Sequence, residues 1–360
     1  MRKIRFGIIG AGGIAAKMHL PELAAEDDRC EVVLLAGRRE SRLRTLCDRF
    51  GVENYTTDFS AVLADPQIDA VCIATPHPLH VEWGVKALEA GKHVFMQKPL
   101  TAKLDEADAM VKAVEKSDRI FLCLPHFSDE IWTIRRMIQE GRLGKIASAR
   151  ARTSHGGPEV YYREILQIFD EPPTDDLWFF DSKQAEVGAL FDMGVYAVAR
   201  LVALLGSARR VSAFTATVEK PTDLEDTATL ILEMANGALA TAETSWCDPG
   251  RTWALSVHGT EAKVEAPRYG AVDAQIFSPT ALDRDNAPIQ ADKLEITEKK
   301  GTAHHHFLNC IERMEQPELS HVWAARHVTE ILLAALKSAA IGKSGEIYSE
   351  AEAPDEIASS

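Results

Sequence analysis

Three residues have the types and settings for moving a proton while a hydride moves nearby: Lys98, Asp192 and Tyr196. Lys98 closes the apolar run Phe95-Met96-Gln97 and precedes Pro99, so its backbone is held extended and its side chain is fixed at a strand end. Asp192 and Tyr196 stand four apart in a helix-like stretch, a spacing that puts both on one face. A phenol with an ordinary pKa of about 10 is a poor base at neutral pH. A neighbouring ammonium favours its ionised form. Together the three suit acid–base chemistry linked to hydride transfer. The bland alternatives are a helix-start acid for Asp192 and a surface lysine for Lys98.

Such groups need a hydride carrier, and the first residues hold the pattern that binds one. The apolar run Ile4 to Ile9 enters Gly10-Ala11-Gly12-Gly13-Ile14-Ala15 and then a helical stretch. Strand, glycine turn and helix start are the setting in which a G-x-G-x-x-G/A pattern binds a dinucleotide. Gly10 allows the tight turn, Gly12 lets backbone approach a pyrophosphate, and Ala15 lets the helix pack on the strand. Further strands are expected at 31–36, 69–74, 92–96 and 120–124, with helices at 14–25, 40–49, 78–90, 103–116 and 128–140. This alternation implies a parallel sheet. Ligands of such sheets lie beyond the carboxyl ends of the strands. Thr75, Pro76, His77 and His80 follow one strand end, and Gln97 and Lys98 follow another, so both groups address the crevice of the glycine turn. His80 has a second reading as a brace. His19 and His93 read as structural.

After residue 124 the pattern changes to strands at 146–153, 211–219, 227–235, 238–246, 253–258 and 272–277, several of them alternating. Asn236-Gly237 signals a two-residue hairpin turn. Helices are expected around 184–205 and 320–341, too few to cover both faces of such a sheet. One face is therefore expected to meet a partner subunit in a homodimer or homotetramer. The polar tail Glu350 to Ser360 is expected to fray.

Composition narrows the function. A formal charge of −14 excludes a nucleic-acid partner of the usual basic kind. No apolar run is expected to span a bilayer, which takes about 20 residues, and the N-terminal run is too short for a signal peptide. The chain reads as cytoplasmic, with no membrane partner. Its six cysteines are scattered without a C-x-x-C pair. His304, His305 and His306 are adjacent and cannot all face one way, so no metal centre is expected from them.

The second strand ends Leu35-Ala36-Gly37-Arg38-Arg39, without the carboxylate that binds an NAD ribose. Glu31 has the right offset but starts the strand. Arg38 and Arg39 stand where a 2′-phosphate would lie, and guanidinium grips phosphate through paired donors. The reading favours NADP over NAD, with a solvated helix start as the alternative for the two arginines.

At these residues the chain resembles the glucose–fructose oxidoreductase/inositol dehydrogenase/rhizopine catabolism (Gfo/Idh/MocA) family. The matching pieces are the glycine turn, Ala74-Thr75-Pro76-His77-Pro78-Leu79-His80, Ala87-Leu88-Glu89-Ala90-Gly91-Lys92-His93-Val94, Gln97-Lys98-Pro99 and Gly188-Ala189-Leu190-Phe191-Asp192-Met193-Gly194-Val195-Tyr196. The resemblance implies a Rossmann α/β domain over 1–124 and an α+β domain with an open-faced, mainly antiparallel sheet over 125–360, with NAD(P) held between them. It implies oxidation or reduction of one carbinol carbon of a sugar, cyclitol or related polyol. Lys98 would contact the reacting hydroxyl and the nicotinamide region, Tyr196 would be the general acid/base, and Asp192 would orient substrate or catalytic group.

Departures from the family pattern stand out. Gln97 replaces a glutamate that contacts the nicotinamide ribose, so Lys98 loses an anionic neighbour. His77 stands where asparagine is common. Glu186-Val187-Gly188 replaces a glycine triplet and adds a carboxylate near the crevice. Trp178-Phe179 stands for a Trp-Arg pair, and Trp178 and Asp181 are candidate substrate contacts. Two other function classes compete: a family glycosidase that retains its nicotinamide, and a non-catalytic sugar-sensing regulator. Retention of Lys98 and Tyr196 speaks against the regulator.

Overall fold

Neighbouring residues of the first apolar run face opposite ways, and both ways are inward. Phe6 and Ile8 join one buried cluster, Ile9 another on the opposite face of the same sheet. Burial on both faces is why the strands read as unbroken apolar runs. The computed structural model describes residues 2–174, 177–268, 270, 273–278 and 290–352. Two compact units are present. One comprises Met1–His126, Pro158–Glu186 and Thr302–Thr329, the other Phe127–Gly157, Val187–Gly301 and Glu330–Ser360.

In the first unit, β1 (Ile4–Ile9), β2 (Cys30–Ala36), β3 (Asn54–Thr56), β4 (Ala70–Ile73), β5 (His93–Met96) and β6 (Phe121–Cys123) form a parallel sheet in the order β3-β2-β1-β4-β5-β6. This is the doubly wound order of dinucleotide-binding sheets, with its switch point between β1 and β4. The expected strands are all present. β3 was not expected, because three part-exposed residues carry no apolar run. The expected helix over 14–25 is a π turn, Ala15–His19, leading into an α-helix, Leu20–Ala24. Helices Pro158–Ile168 and Ala303–Arg313 add to this unit from far along the chain. The second seats Phe307 against Phe6 and Phe95.

In the second unit, β7 (Ile146–Ser154), β8 (Ala208–Ala216), β9 (Thr227–Met234), β10 (Leu239–Ser245), β11 (Thr252–Gly259), β12 (Lys263–Ala266), β13 (Gln275–Ser278), β14 (Gln290–Lys293) and β15 (Gly345–Glu346) form one sheet among the described residues. Its order is β14-β13-β12-β11-β7-β10-β9-β8-β15, antiparallel except for β7 beside β10. The fold is thus a Rossmann-type parallel sheet followed by a mainly antiparallel one, as the sequence implied. The last part of the polar tail, 353–360, lies outside the described residues.

Two expectations need correction. The β9–β10 hairpin closes with a three-residue loop, since Met234 N bonds Ala238 O and Gly237 carries the positive φ of 86°. A two-residue type I′ turn needs positive φ at both central residues, and Asn236 is not in that region. The second correction concerns apolar length. The stretch Ser182–Leu205 is long and apolar enough by composition to cross a bilayer, yet 89% of its most apolar part is buried. Its last part, helix Val195–Leu205, packs on β7 and β10 as core.

The sheet's other face is bare in places, with Phe214 81%, Ile231 54% and Leu239 55% exposed on β8, β9 and β10.

His93 opens β5 and accepts the Ile120 amide on Nδ1 at 2.9 Å. Burial, helped by the Arg119 charge, lowers its pKa to about 4. The unfolded chain, with a histidine pKa of about 6.5, therefore takes up more protons between those values. Its stabilising contribution, up to about 3 kcal/mol at ~1.4 kcal/mol per pKa unit, is full above about pH 6.5 and lost as pH falls toward 4. Urea unfolding at pH 7 and pH 4.5 should show this loss, and His93→Asn, which keeps an acceptor and does not titrate, should reduce it.

Candidate active site

The three strand ends at the switch point are held backbone to backbone. Gly10 and Ala11 donate to Ala36 O at 2.9 and 2.8 Å. Gly10 has φ 88°, and a Cβ there would lie 2.5 Å from Thr75 N. Gly13 gives way to Ile165 of helix Pro158–Ile168, whose Cδ1 would be 2.3 Å from a Cβ. Gly12 is different: the nearest atom to a Cβ is 3.8 Å away, so its face is open. Ile14 leads the π turn half-buried, and Ala15 is fully buried. Beside them the Thr75 hydroxyl is buried with no hydrogen-bond partner among the described residues. Such an orphan costs about 1–3 kcal/mol and calls for a ligand or water. An open glycine face beside an orphaned hydroxyl at a switch point fits a dinucleotide.

Beyond β4, Pro76 is half-buried and His77 is buried, its ring 5.9 Å from that of Trp178. His80 directs both ring nitrogens at backbone oxygens, Nδ1 to Pro99 at 2.7 Å and Nε2 to Thr75 at 2.9 Å. Burial pushes its pKa down to about 4, with the Lys98 charge acting the same way and the two carbonyls opposing. A neutral ring has one N–H to give, so His80 donates to one of these carbonyls and lies packed against the other, between the turns after β4 and β5.

Gln97 points inward. Its Oε1 accepts from Lys98 N at 3.1 Å, which turns its amide nitrogen to His19 Nε2 at 3.2 Å. His19 Nε2 must then accept, so its proton sits on Nδ1, which faces His304 Nε2 at 3.1 Å. His304 Nδ1 in turn meets Glu22 Oε2 at 2.8 Å. Burial holds His19 well below the usual histidine range. Burial works to raise the Glu22 carboxyl, but the His304 contacts prevail and lower it. Cys72 Sγ lies 3.6 Å from His304 Nε2, and the ligand atoms of His19, Cys72 and His304 are all within 4.8 Å of one another. That proximity would suit a metal, but a His19 Nδ1 that carries a proton donates and does not ligate. Only His304 of the histidine run enters this cluster, with partners the sequence did not suggest.

Arg38 and Arg39 are exposed past β2. Arg39 donates to Glu171 Oε2 at 3.1 Å, and Arg42 grips the same carboxylate through Nε at 2.6 Å and through a second donor. Arg42 also lies over the Phe169 ring at 4.7 Å. Arg42, in the first turn of helix Glu40–Phe50, was findable from its spacing to Arg38 and Arg39. Glu171 was not. Trp178 donates to Tyr162 Oη at 2.7 Å. Asp181 is exposed and caps helix Ser182–Ala185, accepting from Lys183 N at 2.9 Å. Glu186 has φ 61° and sits 3.5 Å from Lys103 Nζ.

In the second unit, Asp192 lies in a π turn, Leu190–Gly194, that runs into helix Val195–Leu205. Trp246 Nε1 donates to Asp192 Oδ2 at 2.9 Å, and His155 Nε2 stands 3.5 Å from the same oxygen. His155 Nδ1 accepts from Gly157 N at 2.8 Å, which leaves the ring proton on Nε2, facing Asp192. Tyr196 is half-buried with its ring 5.0 Å from Trp253. Glu225 Oε1 accepts from Gly188 and Leu190 amides at 3.1 Å each, anchoring the turn. Burial raises the Glu225 carboxyl even so. The sequence reading missed His155, Trp246 and Glu225, which lie on other elements and carry no local signal.

Sheet order, glycine turn and orphaned hydroxyl define a Rossmann-type dinucleotide-binding protein. The family model described as "Oxidoreductase family, NAD-binding Rossmann fold" matches residues 4–124, and the GFO/IDH/MocA C-terminal domain model matches residues 131–265. The chain belongs to the GFO/IDH/MocA oxidoreductase family. It is 28% identical to levoglucosan dehydrogenase of Pseudarthrobacter phenanthrenivorans over 60% of each chain. It is 27% identical to D-xylose 1-dehydrogenase (NADP(+)) 2 of Haloferax volcanii, over 87% of this chain and 91% of that one. The chain spans little more than half the length of several curated relatives it matches. A levoglucosan dehydrogenase structure with NADH and L-sorbose superimposes with a TM-score of 0.79, covering 97% of this chain and all of that one at 24% identity, a likeness of fold.

The open face of Gly12 yields a test. Gly12→Ala should leave the thermal midpoint within about 1 °C, because its methyl meets only the Gly10 carbonyl oxygen at an ordinary 3.8 Å, yet weaken dinucleotide binding roughly tenfold or more by blocking the backbone's approach. Isothermal titration with NAD+ and NADP+ checks it, and unchanged affinity for both would contradict the site.

Proposed function

We propose that the protein is an NAD(P)-dependent oxidoreductase that moves a hydride between nicotinamide and a carbinol carbon of a sugar, cyclitol or related polyol. The observation that carries this is the open Gly12 face beside the orphaned Thr75 hydroxyl at the switch point of a family-typical sheet. Relatives named for levoglucosan and D-xylose support the substrate class. Arg38 and Arg39, exposed past β2, support NADP as the favoured cofactor, with NAD the alternative.

When bound, the nicotinamide accepts or returns the hydride. Lys98 polarises the reacting oxygen from the end of β5, where His80 holds the adjoining Pro99 backbone. Tyr196 takes or gives the hydroxyl proton. Asp192, fixed at Oδ2 by Trp246 and His155, orients the alcohol. Thr75, Pro76, His77 and Gln97 shape the wall around the cofactor, and Trp178 and Asp181 are candidate substrate contacts.

A screen of sugars, lactols and inositols with each cofactor, read as reduced-nicotinamide absorbance, identifies the substrate. On that substrate Tyr196→Phe should lower kcat by about 10²- to 10⁴-fold, the usual worth of general acid–base catalysis, with cofactor affinity nearly unchanged. Lys98→Ala should be at least as damaging. Near-normal kcat in Tyr196→Phe would move the proton's route to another group.

The bare face of the second sheet supports assembly as a homodimer or homotetramer through Phe214, Ile231 and Leu239. Sedimentation should show an oligomer at micromolar concentration, and Ile231→Glu with Phe214→Glu should yield monomers. A monomeric parent protein would refute it.

A further inference from the structure

An NAD-specific site puts a carboxylate at the end of the second strand, and none stands at the end of β2 in the sequence. One stands there in space. Glu171 follows helix Pro158–Ile168, its amide bonded back to Leu166 O at 2.9 Å. Its carboxylate takes one donor from Arg39 and two from Arg42. The cluster is partly shielded, with Arg42 13% and Glu171 23% exposed at the side chain, while Arg39 is 62% exposed. Arg38 makes no ion pair among the described residues.

We propose that Glu171 is a cofactor-specificity residue, an internal anion occupying the guanidiniums that an adenosine 2′-phosphate would seek. The proposal rests on the reading of β2's end as the adenosine end of the cofactor site. Bidentate guanidinium–carboxylate contacts use the same donors as guanidinium–phosphate contacts. NADP must therefore draw Arg39 and Arg42 from Glu171, or lie beside its negative charge. NAD breaks no such pair, and its ribose hydroxyl can donate to a carboxylate. Specificity of this kind comes from a repulsive element as much as from an attractive one. The hydrogen bonds from Arg42 hold the Glu171 carboxyl below its usual range, so it stays anionic where the enzyme would work.

The test is the ratio of NADP+ to NAD+ dissociation constants, measured by isothermal titration. Glu171→Gln should tighten NADP+ roughly fivefold or more and leave NAD+ within about twofold. Glu171→Asp keeps the charge and should keep the parent ratio. If Glu171→Gln moves both cofactors equally, or if Glu171→Asp shifts the ratio as far, the ion pair only fastens segment 158–186 and the proposal fails. Should Glu171→Gln not fold, Arg42→Gln reads the same competition from the other side. Glu171 then rests wholly on Arg39, and NADP+ should weaken relative to NAD+; an unchanged ratio overturns the proposal. Arg38→Ala with Arg39→Ala tests the underlying reading separately. If that variant loses NADP+ no more than NAD+, the strand-end reading itself fails, and Glu171 with it.

Discussion

Backbone lies against backbone where β1 ends, and the rest of the first unit is arranged around that contact. A side chain at Gly10 would collide with the Thr75 amide, so β1 and β4 can part at the switch point only with glycine there. The same closeness brings Thr75 beside the glycine turn with its hydroxyl buried and unanswered. The His80 ring then sits between the Thr75 and Pro99 carbonyls and donates to one of them, filling the space between the ends of β4 and β5. The placement of Lys98 thus descends from a steric condition at residue 10, through two turns and one imidazole.

Beneath this surface runs a chain of polar groups whose direction is fixed at one end. Lys98 N–H requires the Gln97 oxygen, and that choice sets in turn the tautomers of His19 and His304 down to Glu22. Every link has one donor and one acceptor, which is what permits so many polar atoms under a sheet. A glutamate at position 97 would present an acceptor to His19 and demand another proton in the chain. Gln97 therefore differs from the family's glutamate in more than charge: it sets which way the buried hydrogen bonds run.

The second unit applies the same device to Asp192. A π turn places the carboxylate, Glu225 anchors the start of that turn through two amides, and Trp246 and His155 fix one oxygen from two other strands or strand ends. None of these partners is a neighbour in sequence. The helix that follows is almost wholly apolar because it forms the core beneath β7 and β10, which also explains why it imitates a membrane span in composition.

The sequence by itself determined five strands of the first sheet, because burial on both faces leaves unbroken apolar runs, and the glycine turn, because its steric needs are local. It marked Lys98 as a strand-end residue through the proline that follows it. Period-two alternation revealed the main strands of the second sheet, whereas β12 alternates over only four residues and β3 of the first sheet has three part-exposed ones, too little for a pattern to stand out. The Asn-Gly pair announced a hairpin but not its loop length, which depends on the backbone angle at Asn236. Contacts between distant segments were decided only by tertiary structure: Glu171 on Arg39 and Arg42, Ile165 on Gly13, His304 on His19, His155 on Asp192. Each brings together residues more than a hundred positions apart, or, for His155, on a separate element. Nothing in the local chemistry of either partner names the other, since a hydrogen bond or an ion pair constrains geometry in space and leaves sequence spacing free.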